Sequence, residues 1–320
     1  MQIVNRPDTL ALLPWSKLAT ALDIALAERA AGKVSCPLRN RLDIAGGVLL
    51  TMPAANQTTA VVKTVTVNSS NASHGDLNVV QADVLVMDSS TGKRLLLLDG
   101  DAVTERRTAT LSVLAWQRIR GSSHIDWPKP KHLLCVGAGV QARAHIDAFL
   151  SLTGLDNITI ACRTPSSAQP LANHCRQNGI HTRVIDLAQL SDHIASEYVD
   201  AIVTTTNASE PLLHTLPSVA TVIMAIGAYT SAMAEISPRI VRQLPIVVDT
   251  LQGCQTEAGD LVQAGIDFQQ TLELERIHYG HFQSSQSVLF KSVGSAVWDL
   301  AAAQCALEII GAQPEPLPGS

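Results

Sequence analysis

The residues of this chain best suited to chemistry begin at His132-Leu133-Leu134-Cys135-Val136-Gly137-Ala138-Gly139-Val140-Gln141-Ala142. An apolar run, Leu133 to Val136, enters a Gly-x-Gly-x-x-Ala turn, and apolar positions at Ala144, Ile146, Ala148, Phe149, Leu150 and Leu152 follow as on a helix lying against a sheet. Strand, glycine turn and helix in that order make a cradle for a pyrophosphate. Gly137 permits the tight turn, and Gly139 has no Cβ to hold the anion away. Ala142 lets helix and strand lie close, and the helix start around Val140 and Gln141 offers unpaired N–H groups to the anion. A second strand, Asn157-Ile158-Thr159-Ile160-Ala161, ends in Cys162-Arg163-Thr164. An NAD site usually carries Asp or Glu there to hold the ribose 2′-hydroxyl. A guanidinium and a hydroxyl suit a 2′-phosphate instead, so the reading favours NADPH, with NADH weaker. A solvated loop arginine is the plain alternative for Arg163.

Further chemistry-bearing residues stand on other elements. Thr59 to Asn68 is an alternating, β-branched run and reads as a strand, and Lys63 within it has apolar neighbours. Asp200 to Asn207 has an apolar centre and ends in hydroxyls, including Thr205 and Thr206, where a cofactor ring would lie.

The elements that must position these groups divide into two patterns. Residues 13–32 read as an amphipathic helix with Leu18, Leu22, Ala25 and Leu26 on one face. Gly47 to Pro53 reads as a strand, and residues 83–98 as a hairpin with a four-residue turn. The first hundred residues are therefore mostly antiparallel β with one helix in front. Thr104 is a plausible N-cap for a long helix over 105–120, and residues 121–131, with Pro128 and Pro130, form a linker. From 133 on, strands at 157–161, 182–186, 200–207, 219–227 and 245–249 alternate with helical stretches, which predicts a doubly wound parallel sheet. Residues 292–310 return to a long Ala-rich helix. The fold class is α/β, a Rossmann sheet plus a mixed α+β domain.

Composition narrows the function classes. Of 320 residues, 46% are apolar and 16% charged, enough for a generous core and too ordered a balance for a disordered chain. The net charge of −5 and the lack of any basic block interleaved with aromatics argue against nucleic acid or an anionic membrane as partner. No uninterrupted apolar run reaches about 18 residues and no signal-peptide layout opens the chain, so the reading is cytoplasmic. Six cysteines show no Cys-x-x-Cys pair, and His278 and His281 have no carboxylate or thiolate at ligand spacing, so no metal site is expected.

Taken together, the chain resembles the ornithine cyclodeaminase/mu-crystallin family over nearly its whole length. The matching residues are Pro37-Leu38-Arg39, Met52-Pro53-Ala54, Lys63, Asp99-Gly100 through Thr104-Glu105-Arg106-Arg107-Thr108-Ala109, and the glycine turn. Ala225-Ile226-Gly227-Ala228, Glu235-Ile236, Glu257-Ala258-Gly259-Asp260-Leu261 and Phe290-Lys291-Ser292-Val293-Gly294 complete the set. The resemblance implies a substrate-binding and dimerisation domain from residues 1–122 and 292–320, an NADP-binding Rossmann domain from 123–291, and a homodimer. It also places Arg39, Lys63 and Arg107 around a substrate carboxylate, with Asn78 and Tyr229 nearby. Its cofactor residues fall on Arg107, Thr108, Gly137, Gly139, Val140, Gln141, Arg163, Thr164, Thr205, Thr206 and Ser292. Three cations around one pocket call for an anion, and an Arg fork fits an α-carboxylate. A surface salt bridge is the ordinary alternative for any one of them.

Two departures narrow the activity. Cyclodeaminases of the family have an acidic residue two places before the Met-Pro pair and an Asp two residues after the glycine of the strand end; here these are Leu50 and Tyr229. The carboxylates that would handle an attacking amine and release ammonia are thus missing, while the hydride half of the chemistry survives. The resemblance is closest to the family's ketimine reductases. It implies NADPH-dependent reduction of small cyclic imino acids, Δ1-pyrroline-2-carboxylate to L-proline and Δ1-piperideine-2-carboxylate to L-pipecolate. Lys63 would join the clamp or supply the imine proton. Two alternatives stay open: an ornithine cyclodeaminase or alanine-type amino-acid dehydrogenase, and a non-catalytic NADPH-dependent binding protein for small ligands.

Overall fold

A computed structural model describes residues 1–68, 70–71, 77–121, 130–278, 281–283 and 285–311. The chain forms two compact units, one from Met1–Leu111 with Ser295–Ser320, the other from Ser112–Gly294.

The first unit is built on a six-stranded sheet. Its strands are β1 (Gln2–Val4), β2 (Asn40–Ile44), β3 (Gly47–Ala55), β4 (Thr59–Val67), β5 (Val80–Asp88) and β6 (Arg94–Asp99), in the spatial order β1-β6-β5-β4-β3-β2. All neighbours are antiparallel except β1, which runs parallel to β6. The alternation read in residues 59–68 appears as buried Thr59, Val61, Lys63 and Val65 on one face. Two helices precede β2, α1 (Arg6–Ala11) and α2 (Trp15–Ala30), where the sequence suggests one. Strands β1 and β2 escape the pattern for a simple reason. The first has three residues, and all five of the second are exposed, so neither shows a hydrophobic alternation.

Helix α3 (Gly100–Arg120) starts earlier than expected, and Thr104 is not its cap. The Asp99 carboxylate accepts the Ala102 N–H at 2.7 Å and takes the capping role, as an aspartate does readily. Gly100 allows the start to press on β5, since a Cβ there would stand 2.5 Å from the Ala82 carbonyl carbon. Thr104 lies inside the helix, its hydroxyl donating to the Gly100 carbonyl at 2.7 Å, and Arg107 falls in the second turn instead of the first. The last helix, α10 (Ala296–Ile310), is capped by Ser295 and begins four residues later than the Ala-rich pattern suggests. Gly294 at φ +84° breaks the run ahead of it. The helix is buried on most sides and packs on α2, β3, β4 and β5. Asp299 is a carboxylate inside this apolar helix and is fully buried.

The second unit is an all-parallel sheet of eight strands. In chain order these are β7 (Leu133–Val136), β8 (Asn157–Cys162), β9 (His181–Asp186), β10 (Ala201–Thr204), β11 (Val222–Ala225), β12 (Ile246–Val248), β13 (Leu272–Glu273) and β14 (Val288–Lys291). Their spatial order is β13-β12-β14-β11-β10-β7-β8-β9. Strands β7, β10, β11 and β14 are buried along their whole length, as a sheet covered on both faces requires. Six of the eight were legible; β13 has two residues, and β14 ends in a lysine that masks a short apolar run. Helix α4 (Val140–Thr153) follows the glycine turn and ends at Gly154 in the left-handed conformation. No helix among the described residues is long and apolar enough to cross a membrane.

Candidate active site

In the second unit the glycine turn has the shape that a pyrophosphate needs. Gly137 has φ +118°, and a Cβ on it would stand 2.7 Å from the Thr205 hydroxyl and 3.1 Å from the Thr205 carbonyl. Its N–H donates to the Ala161 carbonyl of β8 at 2.8 Å, which fixes the turn against the neighbouring strand. Gly139 has the opposite surroundings. Beyond its own chain neighbours, no heavy atom lies within 4 Å of where its Cβ would be, so the absent side chain leaves open space at the start of α4. Val140, 61% exposed, and half-buried Gln141 form the first turn. The space and the free helix start fit a dinucleotide. Arg163 and Thr164, both exposed, follow directly on Cys162 at the end of β8.

The ends of β10, β11 and β14 carry a buried polar hub absent from the site set drawn from the sequence. Glu235 is fully buried and accepts five hydrogen bonds. One carboxylate oxygen takes the Thr204 hydroxyl at 2.8 Å and the N–H groups of Gly227 and Ala228 at 2.7 and 3.2 Å. The other takes the N–H and hydroxyl of Thr206 at 2.6 and 2.8 Å. Burial pushes its carboxyl up, opposed by the Lys291 charge and the Thr206 bonds. The loops after β10 and β11 interlock here, because a Cβ on Gly227 would stand 2.1 Å from the Thr206 carbonyl oxygen. Lys291 pairs with Asp260 at 2.7 Å and donates to the Ala228 carbonyl at 2.6 Å. Asp260 in turn accepts the N–H groups of Glu235 and Ile236. Ser292 is buried, its hydroxyl donating to Asp249 at 2.7 Å, and Thr205 donates to the Val136 carbonyl at 3.3 Å. Tyr229, just beyond this hub, is 38% exposed.

In the first unit Lys63 and Arg107 meet a carboxylate. Lys63 sits mid-β4, its side chain 3% exposed, and its ammonium lies 3.3 Å from Asp299 Oδ1 and donates to the Thr104 hydroxyl. Arg107 Nε is 3.4 Å from the same oxygen, and the arginine and Thr108 are both buried. Burial is the main cause that lowers the Lys63 pKa to about 8; Asp299 opposes it, and Arg107 and then Arg39 add to it. Arg39, half-buried in the irregular segment before β2, is therefore within electrostatic reach of Lys63. Asn78 is exposed ahead of β5, its carbonyl accepting from Asn71. Leu50 lies on the face of β3 that carries Met52, opposite Val65 of β4, two residues along from Lys63.

In the first unit, Asp299 is the residue that sequence reasoning missed. Its signal was present, a lone carboxylate amid the apolar residues 296–303, where an unpaired charge would be costly.

This architecture is shared with known proteins. The model of the ornithine cyclodeaminase/mu-crystallin family matches residues 3–312. A Delta(1)-pyrroline-2-carboxylate reductase 1 of Burkholderia multivorans is 33% identical over 314 residues, 98% of this chain and 97% of the relative. A Delta(1)-pyrroline-2-carboxylate/Delta(1)-piperideine-2-carboxylate reductase of Azospirillum brasilense is also 33% identical, over 97% of this chain and 96% of its own. Among solved structures, the Delta(1)-pyrroline-2-carboxylate reductase of Thermococcus litoralis, in complex with NADH and L-proline, superposes with a TM-score of 0.87. It is 25% identical over 99% of this chain and 100% of its own. These named relatives are reductases of cyclic imino acids, the C=N chemistry that the sequence reading points to. The chain belongs to the ornithine cyclodeaminase/mu-crystallin family.

Proposed function

We propose that this protein is an NADPH-dependent reductase of cyclic imino acids, converting Δ1-pyrroline-2-carboxylate to L-proline and Δ1-piperideine-2-carboxylate to L-pipecolate. The observation that carries the reading is the buried Lys63, which shares the Asp299 carboxylate with Arg107. A cationic group of this kind in the first unit suits a small acid with a basic nitrogen. The first unit serves as the substrate-binding and dimerisation part and the Rossmann unit as the nucleotide part. Arg39 and Arg107 hold the α-carboxylate, Arg107 with the N–H groups left over from Asp299. Reduction of the C=N bond adds a hydride at carbon and a proton at nitrogen, and a bound reduced nicotinamide supplies the hydride. Lys63 Nζ delivers the proton to the ring nitrogen and takes another from solvent; a donor tuned near neutral pH suits the step. Asn78 and Tyr229 are further substrate contacts in this reading.

On the nucleotide side, Gly137, Gly139, Val140 and Gln141 hold the pyrophosphate, and Arg163 with Thr164 takes the 2′-phosphate. Thr205 and Thr206 flank the nicotinamide end. Ser292, tied to Asp249, shapes that end, while Arg107 and Thr108 complete the set from α3. The apolar Leu50 beside the Lys63 strand, and Tyr229 in place of a carboxylate, favour reduction over cyclodeamination.

The homodimer rests on the outer face of the six-stranded sheet. Pro53, Val62, Leu85, Leu97 and Ile3 form one row across five strands there. The first four are half-buried and Ile3 is exposed, an apolar strip of the sort that a second copy covers.

The test is NADPH consumption against both imines, with NADH in parallel. Turnover of either imine with NADPH supports the proposal. Tight NADPH binding with no turnover of any imine, or ammonia release from ornithine without added NADPH, overturns it.

A further inference from the structure

Lys63 and Arg107 project from different elements, and one carboxylate lies against both. Asp299 Oδ1 is 3.3 Å from Lys63 Nζ and 3.4 Å from Arg107 Nε, with no part of the aspartate exposed. Thr104 adds direction. Its hydroxyl proton is spent on the Gly100 carbonyl, so towards Lys63 the oxygen can only accept, and it calls for an N–H from the lysine. Asp299 and Thr104 together use two of the three N–H bonds of an ammonium and leave one for a ligand.

We propose that Asp299 is a positioning residue for the reaction, holding Lys63 in its charged form with one N–H left for the substrate nitrogen and fixing Arg107 beside it. The inference rests on the proton-donor role proposed for Lys63. The charged groups that face the lysine are Asp299 on α10, Arg107 and Asp101 on α3, and Arg39 ahead of β2. Both arginines and the apolar surroundings work against the ammonium, while Asp299 gives it the main support. Without that carboxylate the lysine would release its proton at a lower pH and deliver fewer protons at neutrality. This is the reason for a buried acid at a site that must hold an anionic substrate.

The test uses the full-length protein labelled with 13C at lysine Cε, the Lys63 signal being assigned by its loss in Lys63→Arg. In Asp299→Asn the Lys63 titration should move down by about one pH unit or more, as loss of a close opposite charge does. The alkaline limb of kcat/KM for Δ1-pyrroline-2-carboxylate should move with it. Asp299→Glu, which keeps the charge on a longer arm, should keep the titration near that of the parent while kcat falls. An unmoved Lys63 titration in a folded Asp299→Asn overturns the proposal. Should that variant not fold, Asp299→Glu decides: an unchanged kcat overturns the proposal, and a lowered kcat with the titration retained supports it. The titration needs no turnover. A shifted Lys63 signal in a protein that reduces no imine would therefore sink the reductase reading and leave the charge-holding role standing.

Discussion

Lys291 and Asp260 form an ion pair with 2.7 Å between Nζ and Oδ2, and neither side chain is exposed. The pair ties the end of β14 to the start of α9 (Gly259–Ala264), and through Asp260 it reaches the backbone of Glu235. A buried pair adds little against a well-packed apolar substitute, but removing one partner strands the other charge. Lys291→Met should therefore cost about 3–5 kcal/mol of unfolding free energy, read by urea denaturation. Lys291→Met with Asp260→Leu should recover part of that loss. A single variant within about 1 kcal/mol of the parent would show that the pair is not isolated from water, as surface pairs are.

On the proton-donor role proposed for Lys63, the pH dependence of turnover follows from its titration. Its pKa is lowered to about 8 from an ordinary 10.5, chiefly by burial. A proton donor must be charged, so kcat/KM should be level below that value and fall as pH rises through about 8. The stability sign is that of a paired carboxylate, whose folded-state pKa is likewise lowered, and opposite to that of a lysine whose pKa is raised by a partner. The folded state binds this proton less readily than the unfolded chain does. Stability is therefore greatest above pH 10.5, declines towards pH 8, and is then level for this group. Lys63→Met should lower kcat/KM by about 100-fold or more, equivalent to about 2.7 kcal/mol of transition-state stabilisation, and remove the alkaline limb. Retention of the limb in that variant would assign it to another group.

Cofactor choice is tested at Arg163, which is exposed at the end of β8 and can be changed without disturbing the core. A charge-assisted hydrogen bond to a phosphate contributes about 1.5–3 kcal/mol, so Arg163→Ala should weaken NADPH binding by roughly 10- to 100-fold. NADH binding should stay within about twofold, since the guanidinium has no phosphate to meet there. Fluorescence titration with both nucleotides reads the ratio. An equal loss for the two would show that Arg163 touches a part that they share.

What was legible in the sequence were features with a local period. The alternation of residues 59–67, the turn at 137–142 and the spaced apolar strands of the Rossmann unit each carry their geometry in a few adjacent residues. What was illegible depends on partners distant in the chain. Asp299 stands 236 residues from Lys63, and no spacing rule joins them. Glu235 and Asp260 were visible only as parts of short matching strings, and their work appears once β10, β11 and β14 lie side by side. The start of α3 was misplaced for a local reason. Asp99 and Thr104 are both good caps, and the close approach of Gly100 to Ala82, a tertiary fact, decided between them.

The two glycines of the turn separate folding from binding. Gly137 has φ +118°, and a Cβ on it would overlap the Thr205 hydroxyl at 2.7 Å. Gly137→Ala combines a strained backbone with that overlap and should destabilise the fold by about 1–3 kcal/mol. Gly139 has φ −84°, which any residue adopts, and beyond its own chain neighbours no protein atom lies within 4 Å of its would-be Cβ. Gly139→Val should therefore leave the unfolding free energy within about 0.5 kcal/mol of the parent. The same side chain fills the space proposed for the pyrophosphate at the helix start, so NADPH affinity should fall by about 10-fold or more. Urea denaturation and NADPH titration on the two variants give a crossed pattern, stability lost in one and binding lost in the other. Destabilisation by Gly139→Val with affinity intact would mean that the open space at the start of α4 is not where the dinucleotide lies.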